Sequence, residues 1–107
     1  MTSSDVIAIL DAVNSDWLGV NMDTNNFPKD DRYSHMEKVI DRIVQIHAKI
    51  LEADEEKGDL TIDYDRVLSM ARDAGFNGFV SIEYEGKEDA WPAVTKASKY
   101  LLRKIRE

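Results

Sequence analysis

Three segments of the chain, 17–23, 43–51 and 79–85, alternate their side chains with the period of two that a β-strand imposes. In the first, Leu18, Val20 and Met22 share one face, and Gly19, Asn21 and Asp23 the other. In the second, Val44, Ile46, Ala48 and Ile50 oppose Ile43, Gln45, His47 and Lys49. In the third, Val80, Ile82 and Tyr84 oppose Phe79, Ser81, Glu83 and Glu85. Each strand therefore has an apolar face suited to a helix layer and a face that turns polar toward its C-terminal end. A parallel strand buried on both sides is usually apolar throughout. The departure recurs at the same end of all three strands, and it constrains the chain more than any other property.

Helical stretches separate these strands. Ser3 or Ser4 can cap a helix running to about Asn14, with Val6, Ile9, Leu10 and Val13 as its apolar stripe. Asn25 to Asp30 reads as a loop in which Pro28 forbids a continued ladder. Asp31 to about Asp41 is expected to be helical, with Met36, Val39 and Ile40 inward. Residues 52–61 are charged, contain Gly58 and read as a solvated loop. Asp63 caps a helix through Ala74, and Gly75 takes the position beyond its end. A last helix follows Gly86, tolerates Pro92 in its first turn and ends in Arg103, Lys104 and Arg106, which complement its negative pole. The order is one helix and then three strand–helix pairs. It implies an α/β fold with parallel strands and right-handed crossovers, built as a single domain over 1–107.

Parallel strands bring their C-terminal ends to one edge of the sheet. Asp23, His47, Lys49, Glu83 and Glu85 should meet there, although 24 residues separate Asp23 from His47 and 36 separate His47 from Glu83. Two carboxylates and an imidazole make a mixed oxygen and nitrogen donor set for a divalent cation. That edge is also where α/β active sites are built. Any one of these residues is more simply a solvated strand end. Their shared parity on three strands is what favours a common site. His35 is read as a surface residue, and Trp17 and Trp91 as packing residues between helices and strand ends.

Composition narrows the classes. A net charge of −7 disfavours nucleic acid, whose binding rests on Lys and Arg neutralising phosphates. No apolar run is long enough to span a membrane, and no secretory signal is visible. With no cysteine, disulfides and thiolate metal sites are excluded, which fits a reducing cytoplasm, the expected location.

The strings Trp17-Leu18-Gly19-Val20-Asn21-Met22-Asp23-Thr24-Asn25-Asn26-Phe27, Ile46-His47-Ala48-Lys49, Ile62-Asp63-Tyr64 and the stretch from Gly75 to Gly86 carry a resemblance in their order and spacing. They resemble the last three units of the xylose isomerase-like TIM-barrel superfamily of sugar isomerases, sugar epimerases and AP endonuclease family 2 proteins. The resemblance implies a partial (β/α)₈ barrel of about three parallel strand–helix units preceded by one helix. It implies one divalent metal (Mn, Mg, Co or Zn), with Asp23, His47 and Glu83 as three of four ligands; the family's first Glu would lie on a strand before Met1. It also implies that Glu83 serves in proton transfer while the metal holds neighbouring carbonyl and hydroxyl oxygens of a ketose. Lys49 resembles a family Lys beside the metal His that would contact a substrate oxygen or phosphate, and Glu85, next to the last ligand on the same face, is expected to bind substrate with it. Asn26 stands where several members have a substrate-binding His, and this departure leaves the identity of the sugar open. A DNA-repair nuclease of the superfamily would need more His ligands and a basic groove. A receiver-like domain would need an early Asp cluster.

Three strands cannot close a cylinder. Glycine and apolar residues at the base of the former pore, Gly19, Ile43 and Phe79, should meet water, and such surfaces drive association. A homo-oligomer, most simply a dimer, is expected. The chain is expected to be inactive alone as a C-terminal fragment of a sugar isomerase/epimerase-like enzyme, or else to be a non-catalytic self-associating module or relic.

Overall fold

The structure, a computed structural model, describes residues 1–107. Helix α1 (Ser3–Val13) leads into strand β1 (Val20–Asp23). Helix α2 (Arg32–Val39) follows, with a 3₁₀ turn at each end, and strand β2 (Ile43–Ile50) comes next. A small hairpin of β3 (Ala53–Asp54) and β4 (Gly58–Asp59) precedes helix α3 (Tyr64–Asp73), strand β5 (Phe79–Tyr84) and helix α4 (Ala90–Ile105). The main sheet has the order β1-β2-β5, with every pair parallel, and it does not close into a barrel. This is the expected α/β partial barrel.

Local chemistry explains the boundaries. The N-cap of α1 is Thr2 and not Ser3 or Ser4, because Thr2 and Asp5 satisfy each other's backbone N–H in a capping box. The expected stripe on α1 is only partly buried. Leu10 is in the core, while Ile9 and Val13 face water. Asp63 caps α3 by accepting from the Arg66 N–H, and Gly75 follows with φ +77°, the left-handed conformation that favours glycine. Strand β1 starts at Val20, three residues later than the alternation suggests, and Trp17 is 98% exposed. Trp91 is also exposed, so neither tryptophan packs as expected. Residues 52–61 form the β3–β4 hairpin where a plain loop was expected.

The core fills the space between the sheet and its helices. Ile46, Ala48 and Ile50 of β2 are fully buried against Met36 and Val39 of α2, Val67 of α3 and Ala97 and Tyr100 of α4, among others. The parity expected for the lower half of β2 is inverted. Val20 pairs with Ile43 but Asn21 pairs with Gln45, so Val44 is an extra residue in the ladder. Ile43 consequently packs against the core, and Val44 is left exposed with Phe79. From Gln45 onward the register is regular and the expected faces hold.

His35 is a further correction. Its Nδ1 accepts from the Ser3 backbone N–H at 3.1 Å and lies 2.8 Å from Ser3 Oγ. Its Nε2 lies 3.2 Å from Asp31 Oδ2, and its ring stacks on Phe27 at 5.3 Å. This largely buried imidazole pins the first turn of α1 onto α2 and is no surface residue.

Candidate metal centre

Register builds the site. Asp23 sits opposite His47, His47 opposite Ser81, and Lys49 opposite Glu83. The ladder runs on past the strand ends, with Thr24 N–H donating to the His47 carbonyl at 3.1 Å and Glu85 N–H to the Ile50 carbonyl at 3.0 Å. Alternation then aims Asp23, His47, Lys49, Glu83 and Glu85 to one side of one rim. One ligating atom from each of Asp23, His47 and Glu83 falls within 4.8 Å of the others. His47 Nδ1 is 3.5 Å from Glu83 Oε2.

The site carries its own cation. Lys49 Nζ lies 3.4 Å from Asp23 Oδ2, 3.4 Å from Glu83 Oε2 and 3.1 Å from Glu85 Oε1. The Lys49 side chain is only 7% exposed, so it is no solvated strand-end lysine. Burial alone would pull its ammonium down. The carboxylates of Glu85, Asp23 and Glu83 together outweigh that penalty and hold it above the ordinary lysine range.

A buried network supports this rim from beneath. Lys49 N–H donates to Thr24 Oγ1 at 3.0 Å, and the Tyr64 hydroxyl donates to the Lys49 carbonyl at 2.6 Å. The Thr24 and Tyr64 hydroxyls lie 2.7 Å apart. Burial, with smaller help from Asp59 and Asp23, pushes the Tyr64 phenol well above its ordinary range. Asp23 itself is oriented by accepting from the Asn25 N–H through Oδ1 at 2.8 Å. That leaves Oδ2 for the cluster.

Of the residues expected to form the site, Asp23, His47, Lys49, Glu83 and Glu85 are brought together. Asn26 is not part of this cluster. It is an exposed residue of the turn after β1 and shares with Asp23 a small hollow of about 80 Å³. Sequence reasoning missed two supports. Thr24 has the wrong parity for the rim, and Tyr64 lies 40 residues away from it. Asn21, which shares strand parity with Asp23, brings Nδ2 to 3.4 Å from His47 Nε2.

The donor chemistry suits a hard or borderline divalent ion. Two carboxylates and an imidazole converge, and a buried ammonium already stands within reach of both carboxylates. The fold and this rim define an α/β barrel-type domain with a candidate metal centre at the C-terminal ends of its strands. The family described as xylose isomerase-like TIM barrel matches residues 1–105, and the chain belongs to it. A comparison with curated proteins returned no significant match. No helix is long and apolar enough to cross a membrane.

Proposed function

We propose that this chain carries the metal-holding rim of a divalent-metal-dependent sugar isomerase/epimerase-like enzyme, with Asp23, His47 and Glu83 as metal ligands. The observation that carries the reading is the meeting of these three donors at the C-terminal edge of a parallel sheet, in a chain of this family. A divalent ion held there (Mn, Mg, Co or Zn) would supply Lewis-acid polarisation of neighbouring oxygens on a bound ketose or its phosphate. Glu83 directs both its ion pairs through Oε2, which leaves Oε1 to take a proton from the carbon beside the carbonyl. Lys49 and Glu85 present a donor and an acceptor to substrate oxygens at the same rim, and Asn26 borders the approach beside Asp23.

Three strands leave the pore face open on one side. Activity therefore requires further strands and a carboxylate on the opposite face of the substrate, from a second copy or another segment. The described chain is expected to be inactive by itself. Its exposed base, with Val44 60% and Phe79 82% accessible, favours a second reading in which the chain is a self-associating module. A homodimer satisfies both readings, and a cysteine-free chain suits the reducing cytoplasm.

Calorimetric titration with Mn²⁺, Co²⁺ and Mg²⁺ tests the first reading. Binding to the native chain should be lost in His47→Ala. Absence of any heat from the native chain at millimolar metal would remove the metal-dependent reading and leave self-association alone.

A further inference from the structure

We infer that Lys49 is a built-in competitor for the metal position, which an arriving divalent ion must move off Asp23 and Glu83, leaving it paired with Glu85 alone. The inference rests on the metal site proposed above and adds to it a fixed order of occupancy.

The competition is for shared carboxylates. Asp23 and Glu83 belong both to the three-residue donor set and to the ion pairs of Lys49. Glu85 belongs to the ion pairs alone, and at 3.1 Å it is the nearest carboxylate to the ammonium. A divalent ion bonds carboxylate oxygens at roughly 2.0–2.6 Å. An ion seated that close to the oxygens Lys49 now faces would share them with a full positive charge a few ångströms away, at strong electrostatic cost. One of the two cations must leave. The main chain of Lys49 cannot, since its N–H is held by Thr24 and its carbonyl by Tyr64. Only the flexible end of the side chain can swing, and Glu85 lies one strand alternation beyond Glu83 to retain it.

Two properties follow. In the ion-free chain Lys49 offsets one of the three carboxylate charges of Asp23, Glu83 and Glu85, so the rim is held together without metal. The ammonium also turns toward the outer rim, where a substrate oxygen or phosphate would meet it, only after the metal is seated.

The test is calorimetry of Mn²⁺ binding to the native chain, Lys49→Met and Lys49→Arg, each checked for folding by circular dichroism. Lys49→Met should bind roughly tenfold tighter, because a competing unit charge is removed from a partly solvated site. Lys49→Arg keeps the charge and should bind no tighter than the native chain. Unchanged or weaker binding by folded Lys49→Met would overturn the inference while leaving the metal site standing. No binding by the native chain at millimolar metal would end the site reading and the inference with it. Should Lys49→Met fail to fold, ¹³C resonances of the native Lys49 Cε and Glu85 Cδ decide the matter during a Zn²⁺ titration. Both should shift in step with saturation, and a Lys49 signal that stays put as metal binds would refute displacement.

Discussion

The Tyr64 hydroxyl donates to the main-chain carbonyl of Lys49 at 2.6 Å, so the first residue of α3 fixes the strand position from which the ammonium of the site projects. The same hydroxyl lies 2.7 Å from Thr24 Oγ1, next in sequence to Asp23. One phenol thus braces both strands beneath the rim. Tyr64→Phe leaves the buried Lys49 carbonyl without this donor and should cost about 1–3 kcal/mol in urea unfolding. Mn²⁺ affinity should fall with it. A loss below about 0.5 kcal/mol, near the noise of a neutral surface change, would show that the brace is dispensable.

Alkaline pH should unfold the protein. Lys49, Tyr64 and Tyr100 all have raised values in the fold; burial leads the shift of both tyrosines, and the Asp65 carboxylate adds to that of Tyr100. Each holds its proton more tightly folded than unfolded. Their contribution is therefore complete below about pH 10 and is lost as pH climbs through the folded values. Asp65, held down by the Tyr100 hydroxyl and by Lys104, works in the opposite sense, and its share is lost in acid. The phenolate absorbance of Tyr64 and Tyr100 should rise only together with loss of the helical dichroism signal. Early ionisation of both in a still-folded chain would contradict this.

Glu83→Gln separates metal affinity from stability. The carboxylate is 42% exposed and its only partners are His47 and Lys49. The His47 pair is half-exposed and contributes little, and the buried Lys49 ammonium keeps Asp23 and Glu85 as partners, so the unfolding free energy should fall by no more than about 1 kcal/mol. Mn²⁺ binding should weaken by roughly tenfold or more. Equal metal affinity in the variant would remove Glu83 from the ligand set.

Phe79→Glu should break the proposed dimer. The ring is 82% exposed at the base of β5, beside an apolar hollow of about 430 Å³ bordered by Leu68, Phe76 and Ile105. Sizing with light scattering at high micromolar concentration should give a dimer for the native chain and a monomer for the variant, with similar melting. A native chain that runs as a monodisperse monomer contradicts the proposal.

Gly58→Ala should destabilise the hairpin over α4. Gly58 has φ +80°, and a methyl group there would stand 2.7 Å from Tyr100 Cδ1. Left-handed backbone and a ring clash together should cost about 1–3 kcal/mol, visible as a lower denaturant midpoint. Full stability in the variant would mean that the Tyr100 ring moves aside freely.

The strands and the polar ends they share were legible because a period of two is a local property of a short run of residues. Asp23, His47 and Glu83 fall on the same side for that reason alone. The inversion at Val44 was not legible, since an extra residue in a ladder exists only relative to the partner strand. His35 looked exposed on its own helix. It is covered because Ser3 and Phe27, from two other segments, close over it. Lys49 reads in isolation as a lysine at a strand end. Its burial follows from three carboxylates on both neighbouring strands, which no window along the chain contains. The early start expected for β1 failed because Trp17 and Leu18 are strand-forming residues with no partner strand beside them.

Asp59 is 2% exposed and accepts from the backbone N–H groups of Leu51, Glu52, Thr61 and Ile62 and from the Thr61 hydroxyl. A single carboxylate thereby locks both ends of the connection between β2 and α3 into one stiff clasp. A segment tied down at its two ends makes a poor flap. The mouth of the site on this flank is preshaped, and any closing motion over a ligand has to come from whatever faces the open side of the sheet.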